Sequence, residues 1–361
     1  RRRAPPPVSR LGVWAPAPPL RTTCRRVGHL PFPLAEPECR LFAMARHGLW
    51  AGALALGLGP GDVVLTPAYH HGSEIEALVR AGLACRFYEP TPALAPDDAE
   101  LETLLGPRVR ALLLVHALGF PQDSPRWRRW CDQRGLLLIE DGAQTWLARI
   151  GDRPVGSWGD LSLFSLHKTL GVPDGAAVVW REDVAPVGPT GGTGSRAWSW
   201  FKTSPPVDWL RARLVPPRPY RPLEDFALGD PTRPPSSATA FLLPRLARPD
   251  IPGERRANYE WLRQELAGHV RPLFDDVPAG ASPMVFPIEV ADKTAALDAL
   301  TQQGVRALDF WSVPHPLLPV ERFPRTAARR ARVVGLPVHQ DLRPRDLARV
   351  AEAAAVTEPA G

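Results

Sequence analysis

Lysine is scarce in this chain. Of its 44 lysine and arginine residues, the only lysines are Lys168, Lys202 and Lys293. An amine can lose its proton and attack a carbonyl carbon, whereas a guanidinium stays charged in proteins. A lysine retained in an arginine-rich chain therefore raises the question of whether its amine is needed. For Lys202 and Lys293 we interpret the residue type as chance, so the question falls on Lys168.

Cysteines and long apolar runs are also few. The four cysteines form no CxxC pair, and neither they nor the histidines have the spacing of metal ligands. No segment approaches the roughly 20 apolar residues of a membrane span. Prolines interrupt the basic N-terminus, where a signal peptide would need an apolar core. We therefore expect a soluble, cytoplasmic protein with no metal and no membrane partner.

Positive charge is present but not concentrated. The net charge is +6 and the pI about 9.5, yet no block of like charge follows the first three arginines. The segment "RWRRW" at 126–130 has Trp127 and Trp130 on one side of a predicted helix, with Ser124 as its cap and Pro125 in its first turn. This pattern favours an amphipathic helix packed on a sheet, and we predict no nucleic-acid partner.

Short apolar runs alternate with helical patterns after residue 45. Runs such as "LLLIED" and "AAVVW" are typical of strands in a parallel sheet that is covered on both faces. The sequence thus predicts an α/β fold with three parts. These are an irregular N-terminal arm (1–44), a large α/β domain (45–236) that includes a variable connector (183–236), and a smaller C-terminal α/β domain (237–361).

Reactive side chains follow three of the predicted strands of the large domain. In a parallel α/β sheet, ligands bind beyond the carboxyl ends of the strands. The side chains that we expect at this edge are Tyr69, His70 and His71 after one strand, Glu140, Asp141 and Gln144 after a second, and Ser165, His167 and Lys168 after a third.

These residue types match the needs of pyridoxal 5'-phosphate (PLP). A lysine forms a Schiff base with the aldehyde of the cofactor, and a carboxylate keeps the pyridine nitrogen protonated. A flat side chain packs on the ring, and hydroxyls and helix-terminal N–H groups hold the phosphate. The sequence therefore predicts a PLP site around Lys168 and Asp141.

Several ordered segments carry a resemblance to a known family. They are "LALGLGPGDVVLTPAY", "LLLVHALGFPQD", "LLLIEDGAQTW", "SWGDLSLFSLHKTLGVPDGAAVV" and, more weakly, "MVFPIEVADKTAALDALTQQGVRALDFW" with "GLPVHQDL". Together they cover most of residues 45–182 and about 284–355. In this set the chain resembles the DegT/DnrJ/StrS-type aminotransferases, which are fold-type-I PLP-dependent transferases that often aminate keto-sugars on nucleotide carriers.

The resemblance implies roles for individual residues. Lys168 falls at the Schiff-base lysine and Asp141 at the partner of the pyridine nitrogen. Gln144 matches the contact to the phenolic oxygen of the ring, and Ser165 matches a phosphate contact. Ala45 and Arg46 replace the glycine–threonine pair that supplies phosphate-binding amides. Either His70 or His71 falls near the ring-stacking aromatic.

The chain also departs from the family pattern. The spacer between Ser165 and Lys168 is shorter than usual. The family's asparagine motif, which reaches the phosphate of a neighbouring subunit, is replaced by "LGDPTRPPSSATAF" at 228–241. The resemblance implies a homodimer with active sites at the interface, and this segment is where the crossing contact would differ.

We expect transamination, in which Lys168 serves as the general base and an amino donor and a keto acceptor are the small-molecule partners. Two alternatives remain open from the sequence. The first keeps PLP but performs elimination, decarboxylation or carbon–carbon bond formation, as the altered connector and the replaced asparagine motif would allow. The second is a non-catalytic binding protein of the same fold.

Overall fold

The computed structural model describes residues 27–191 and 226–360, and a seven-stranded sheet forms the centre of its N-terminal part. The order of the strands across this sheet is β1-β9-β8-β5-β4-β2-β3. The strands up to this point of the chain are β1 (Arg40–Phe42), β2 (Val63–Pro67), β3 (Ala84–Tyr88), β4 (Val109–Val115), β5 (Leu137–Asp141), the small hairpin β6 (Arg149–Ile150) and β7 (Arg153–Pro154), β8 (Leu161–Ser165) and β9 (Ala176–Trp180).

The sheet is mixed rather than wholly parallel. Strands β3, β2, β4, β5 and β8 run parallel, as the apolar runs predict, but β9 pairs antiparallel with β8, and β1 pairs antiparallel with β9. The chain returns from β8 to β9 without a crossover helix, and such a direct return makes neighbouring strands antiparallel. The predicted α/β class is confirmed, with this antiparallel edge as the difference.

Four helices follow the first strands: α1 (Ala45–Ala55), α2 (Ser73–Arg80), α3 (Asp98–Thr103) and α4 (Ser124–Asp132). Helix α1 lies very close to the sheet, because a Cβ added at Gly48 would be 2.2 Å from Val178 Cγ2 and one added at Gly52 would be 2.5 Å from Leu161 Cδ1. These two glycines, one turn apart, bring the first turn of α1 to the edge of the sheet.

Helix α4 forms as the sequence predicts, with one correction. Trp127 and Trp130 are buried against the sheet, so the amphipathic interpretation of "RWRRW" is confirmed. The residue that caps the helix is Asp123, whose carboxylate accepts a hydrogen bond from the Arg126 N–H, and not Ser124. The Ser124 hydroxyl is instead turned inward, where it binds the buried carboxylate of Glu140 at 2.5 Å.

The C-terminal part contains a second, antiparallel sheet with the order β10-β11-β13-β12. Its strands are β10 (Arg271–Pro272), β11 (Val285–Glu289), β12 (Leu308–Asp309) and β13 (Val333–Pro337), and the helices are α5 (Ser237–Leu246), α6 (Ile251–Glu265), α7 (Lys293–Gln302), α8 (Pro324–Arg332) and α9 (Pro344–Ala354). The sequence patterns predict helices over "GERRANYEWLRQELAG", "DKTAALDALTQQG" and "PRDLARVAEAAA" and a strand over "MVFPIEV", and these coincide with α6, α7, α9 and β11. Elements α5, α8 and β13 have no predicted counterpart. Helix α5 packs with Phe164 and Leu166 on the large sheet, and the domain division at residue 237 stays a prediction.

Parts of two predicted regions fall beyond the described residues. The first 26 residues of the N-terminal arm and residues 192–225 of the connector lie outside them. The described part of the arm contains strand β1, so it is not irregular throughout. In the ranges that the structure does cover, no helix combines the length and the apolar character needed to cross a bilayer.

Candidate active site

A cavity lies at the carboxyl edge of the large sheet. Val115, Asp141 and Leu163, which are paired in register on the adjacent strands β4, β5 and β8, line its floor. The void measures about 470 Å³, part of it open to solvent. The remaining lining residues are Ala45, Arg46, Leu49, His71, Ser73, Glu74, His116, Ala143, Gln144, Lys168 and Trp311.

Lys168 reaches the cavity from a short turn. The 3-10 turn Leu166–Lys168 follows β8 directly, so the lysine leaves the sheet where the strand ends. Burial lowers the pKa of the Lys168 amine below its usual range, although the negative charges of Asp141 and Glu74 act in the opposite direction. A lowered pKa increases the fraction of free amine near neutral pH, as a nucleophile or base requires.

Asp141 is the carboxylate at the floor of the same cavity. It is 7% exposed, and its Oδ1 accepts a hydrogen bond of 2.9 Å from the Ala143 N–H. Burial raises the pKa of Asp141 to about 6, and the neighbouring charge of Glu74 contributes to the rise, while Lys168 and His116 oppose it. The predicted pair of Lys168 and Asp141 is thus brought together.

The structure separates the two adjacent histidines. His71 lines the cavity. His70 does not: it is fully buried, its ring stacks on Phe87 with centroids 5.4 Å apart, and its Nδ1 donates to the Pro67 carbonyl at 2.8 Å. Burial also lowers the pKa of His70 to about 3. Of the two candidates for ring stacking, the geometry favours His71.

The remaining predicted site residues are placed differently from one another. Ala45 and Arg46 line the cavity at the first turn of α1, where the Met44 side chain makes no capping hydrogen bond. Gln144 also lines it, and its Oε1 accepts the Leu118 N–H at 2.7 Å. Ser165 is buried outside the cavity lining, with its Oγ 3.2 Å from His167 Nδ1. Its phosphate contact stays a prediction.

Glu74 is a cavity residue that the sequence reasoning missed. It lies in the first turn of α2, and its carboxylate accepts hydrogen bonds of 3.0 Å from the N–H groups of both His71 and Gly72. Although burial works in the opposite direction, the nearby His70 and His71 and the N–H groups of Gly72 and of Glu74 itself lower the pKa of Glu74. An acidic residue in the first turn of a helix is usually only a cap, so the pattern "HHGSE" gave no reason to place it at a site.

Trp311 forms a wall of the cavity from the C-terminal part and was also missed. Its backbone has a φ of +78°, the left-handed region that non-glycine residues rarely adopt. The Trp311 carbonyl accepts a hydrogen bond of 2.7 Å from Arg330 Nη1, and the Tyr69 hydroxyl donates to the adjacent Phe310 carbonyl at 3.2 Å. Contacts with both parts of the molecule therefore hold this indole at the cavity.

Lys293 corrects the interpretation of the scarce lysines. Its ammonium is buried and lies 2.5 Å from Asp309 Oδ1, and it donates to the carbonyls of Phe310 and Arg330 at 3.1 and 2.7 Å. This lysine has a structural role beneath the Trp311 segment and is not a chance choice. Lys202 lies outside the described residues.

The residues of the cavity fit PLP. One void is surrounded by an amine, a buried carboxylate, a carboxamide, an imidazole and the N-terminus of a helix that carries a guanidinium. In the same order, these groups suit the aldehyde, the pyridine nitrogen, the phenolic oxygen, the ring face and the phosphate of the cofactor. Within residues 27–191 and 226–360, no cluster of three His, Cys, Asp or Glu side chains is placed to hold a metal ion.

Comparisons with known proteins agree with this geometry. Residues 41–185 match the model of the DegT/DnrJ/EryC1/StrS aminotransferase family. A UDP-N-acetyl-3-dehydro-alpha-D-glucosamine 3-aminotransferase of Acidithiobacillus ferrooxidans is 35% identical over 141 residues, which is 38% of this chain and 38% of that protein. The aligned segment thus spans little more than a third of this curated relative.

Solved structures extend the likeness to most of the chain at the level of the fold. DesV of Streptomyces venezuelae, solved with a ketimine intermediate, has a TM-score of 0.66 at 23% identity over 88% of this chain and 84% of its own. NtdA of Bacillus subtilis, solved with bound cofactor PMP, has a TM-score of 0.65 at 18% identity over 88% of this chain and 72% of its own. The chain therefore shares its fold with these solved structures, and its segment 41–185 matches the DegT/DnrJ/EryC1/StrS aminotransferase family.

Proposed function

We propose that this chain is a PLP-dependent aminotransferase, which moves an amino group from an amino-acid donor to the keto group of an acceptor. The observation that carries the proposal is that Lys168 and Asp141 line one cavity at the carboxyl edge of the sheet. Similarity to a relative named for a nucleotide-linked dehydro-sugar supports a keto-sugar of that class as the acceptor.

Three residues would hold the ring of the cofactor. Asp141 would pair with the pyridine nitrogen, Gln144 would contact the phenolic oxygen and His71 would pack on the ring face. Burial raises the pKa of Asp141 to about 6, but a protonated nitrogen beside it would offset the cost of burying the negative charge and would itself be stabilised by the carboxylate. Asp141 is thus suited to keep that nitrogen protonated.

The first turn of α1 would hold the phosphate. The N–H groups at Ala45 and Arg46 lie at the positive end of the helix dipole, and the Arg46 side chain adds a guanidinium at the same cavity. The two close glycine contacts of α1 keep this turn at the edge of the sheet. The phosphate would therefore anchor the cofactor at the end of the cavity that α1 forms.

Lys168 would bind the aldehyde carbon and later move protons. When bound, PLP withdraws electrons from the substrate carbon attached to the amino group and so weakens its C–H bond. The Lys168 amine, whose pKa burial lowers, can accept that proton at Nζ and donate it to a neighbouring carbon. Trp311 and His71, which line the same cavity, would limit the access of water to this amine.

The resemblance supports a homodimer as part of this proposal, with a second copy of the chain near the cavity. Sedimentation equilibrium of the purified protein would measure the mass directly. A mass of two chains is the expected result, and a monomer that turns over at full rate would contradict it.

The first experiment compares the wild type with Lys168→Ala, and uses Lys202→Ala as the matched lysine control. Each protein receives PLP, and its absorbance is recorded before and after borohydride. We expect a visible band in the wild type and in Lys202→Ala that borohydride bleaches, with the label on Lys168, and no such band in Lys168→Ala. The absence of a band in the wild type would refute the proposal.

The second experiment tests the reaction type. Glutamate is added to the PLP-loaded protein, and 2-oxoglutarate and the absorbance are followed. Transamination predicts one keto acid per site and loss of the visible band, with recovery when a keto acceptor is added. A stable band, with a product formed from an amino acid without amine exchange, would replace transamination by lyase or condensation chemistry on the same site.

A further inference from the structure

Two side chains from the C-terminal part hold the backbone that follows Lys168. Arg255 Nη2 donates to the Thr169 carbonyl at 3.2 Å and lies 3.5 Å from the Lys168 carbonyl oxygen. Gln340 Nε2 donates to the same Thr169 carbonyl at 2.9 Å, and Arg255 Nε donates to Gln340 Oε1 at 2.9 Å. We call this pair the Arg255–Gln340 latch.

The two residues of the latch come from separate elements. Arg255 is on α6, and Gln340 follows β13. The Asn258 carboxamide, one turn further along α6, donates to the carbonyls of Val338 and His339 at 3.2 and 3.1 Å, which ties the helix to the loop that carries Gln340. The latch is therefore part of a rigid connection and not a single surface contact.

Arg255 is a buried charged residue, and burying a charge lowers the stability of a fold. It is 1% exposed, and within the described residues no carboxylate lies within 4 Å of its guanidinium. Burial lowers the pKa of Arg255 to about 10, and Asp341 opposes this only from a distance. A buried charge without an adjacent counter-ion destabilises a fold unless hydrogen bonds offset the free energy of its desolvation. The guanidinium of Arg255 donates to the backbone carbonyls of Pro283, Lys168 and Thr169.

We propose that the Arg255–Gln340 latch is a positioning device, which fixes the turn after Lys168 so that the amine points into the cofactor cavity. The inference rests on the proposed function. Neither residue is among those that line the cavity, so the latch would act on Lys168 through its backbone. A lysine has a long flexible stem, and the direction of its amine therefore depends on how firmly its own backbone is held. Two donors on the Thr169 carbonyl restrain that peptide in orientation as well as in position.

The variants that test the latch are Arg255→Met and Gln340→Leu. The matched control is Arg256→Met, because Arg256 neighbours Arg255 on α6 but donates to the Ala281 carbonyl at 2.8 Å and makes no bond to the Lys168 turn. Arg255→Lys is the conservative variant, which retains a cation but can reach fewer acceptors. Gln340 is partly exposed, so Gln340→Leu decides the outcome if Arg255→Met does not fold.

The first readout is the rate at which each cofactor-free protein is trapped by PLP and borohydride on Lys168. The amine condenses with the aldehyde with loss of water, and hydride then reduces the C=N bond. We expect both latch variants to react about tenfold more slowly or worse, since small misplacements of a reacting group carry large rate penalties. Arg256→Met should match the wild type, and Arg255→Lys should fall between.

The second readout needs no cofactor. Competitive labelling with acetic anhydride over a range of pH gives the apparent pKa of the Lys168 amine. In the latch variants we expect a rise of roughly one unit, because a released turn lets water reach the amine. Folded latch variants with the wild-type trapping rate and the wild-type pKa would overturn the proposal. Failure of the wild type to be trapped by PLP would refute the proposed function instead, and the labelling would still decide the latch.

Discussion

Asp141 carries a burial cost that the function explains. Its pKa is raised from 3.8 to about 6 by burial, with Glu74 adding to the rise. A group with a raised pKa stabilises the fold below its unfolded pKa, and that stability is lost as the pH rises through the folded value. The loss in the cofactor-free protein therefore falls between about pH 4 and pH 6, and above this window the ionised carboxylate destabilises the fold.

Replacing Asp141 by Asn removes this ionisation but keeps an oxygen for the Ala143 N–H. We predict that cofactor-free Asp141→Asn is more stable than the wild type at pH 8, by up to about 3 kcal/mol. The gain should vanish near pH 4, and the variant should lose amine transfer. Thermal unfolding of both proteins from pH 4 to pH 8 measures the difference. Equal melting temperatures at pH 8 would show that Asp141 is not strained by burial.

The two histidines give a second prediction for single residues. His71→Ala should weaken PLP binding by roughly fivefold, because a stacking contact contributes about 1 kcal/mol, and it should leave the melting temperature of the cofactor-free protein nearly unchanged. His70→Ala should do the reverse, since it removes the stack on Phe87 and the bond to the Pro67 carbonyl. Titration with PLP and thermal unfolding distinguish the two, and a larger loss of PLP affinity in His70→Ala would contradict the placement.

At the scale of elements, α1 joins packing to cofactor binding. An added Cβ at Gly52 would be 2.5 Å from the buried Leu161 side chain of β8, so a larger residue there would push the helix and this side chain apart. Gly52→Ala should destabilise the fold by about 1–3 kcal/mol despite the better helix propensity of alanine. Because the displaced helix takes Ala45 and Arg46 with it, the affinity for PLP should fall as well.

Gly59→Ala is the control for this prediction, because a Cβ there would meet nothing within 4 Å. Urea unfolding gives the stability of each variant, and PLP titration gives the affinity. Wild-type affinity in a clearly destabilised Gly52→Ala protein would show that the first turn of α1 does not hold the phosphate.

Elements with apolar periodicity were predictable, and elements that bury charge were not. Strand β5 and helix α6 follow from their apolar patterns, and Lys168, Asp141 and Gln144 follow from the strands that they terminate. Helix α8 has no apolar stripe in "PRTAARRAR", because the residues that it buries include Arg329 and Arg330, whose charges are satisfied by carbonyls of distant loops. A local sequence pattern cannot predict hydrogen-bond partners that lie in distant segments of the chain.

The antiparallel pairing of β9 was hidden for a different reason. A short apolar strand such as "AAVVW" has the same composition in either direction, so its pattern gives no orientation. Trp311 was hidden because it reaches the cavity from the C-terminal part through contacts far apart in the chain. Tertiary contacts, and not local propensity, decide both features.

At the scale of the whole molecule, Arg330 joins the two sheets. It is 3% exposed, and its guanidinium donates to the Trp311 carbonyl at 2.7 Å and to the carbonyls of Ala68 and His70 at 3.0 and 2.9 Å. The last two follow β2 of the large sheet, and Trp311 follows β12 of the small one. One side chain thus fixes the edge that carries His71 against the segment that carries Trp311.

We predict that Arg330→Met destabilises the protein by about 2–4 kcal/mol, because it leaves three buried carbonyls without this donor. The effect should be local first: amide exchange should quicken around Trp311 and His71 and change little in β5. Arg332→Met, an exposed position on the same helix, is the control. Urea unfolding measures the stability and hydrogen exchange measures the local effect. Uniformly quicker exchange would contradict a specific role of Arg330 in connecting the two sheets. PLP binding should weaken with the loss of the Trp311 wall, so the joint between the sheets would also be a determinant of the cavity.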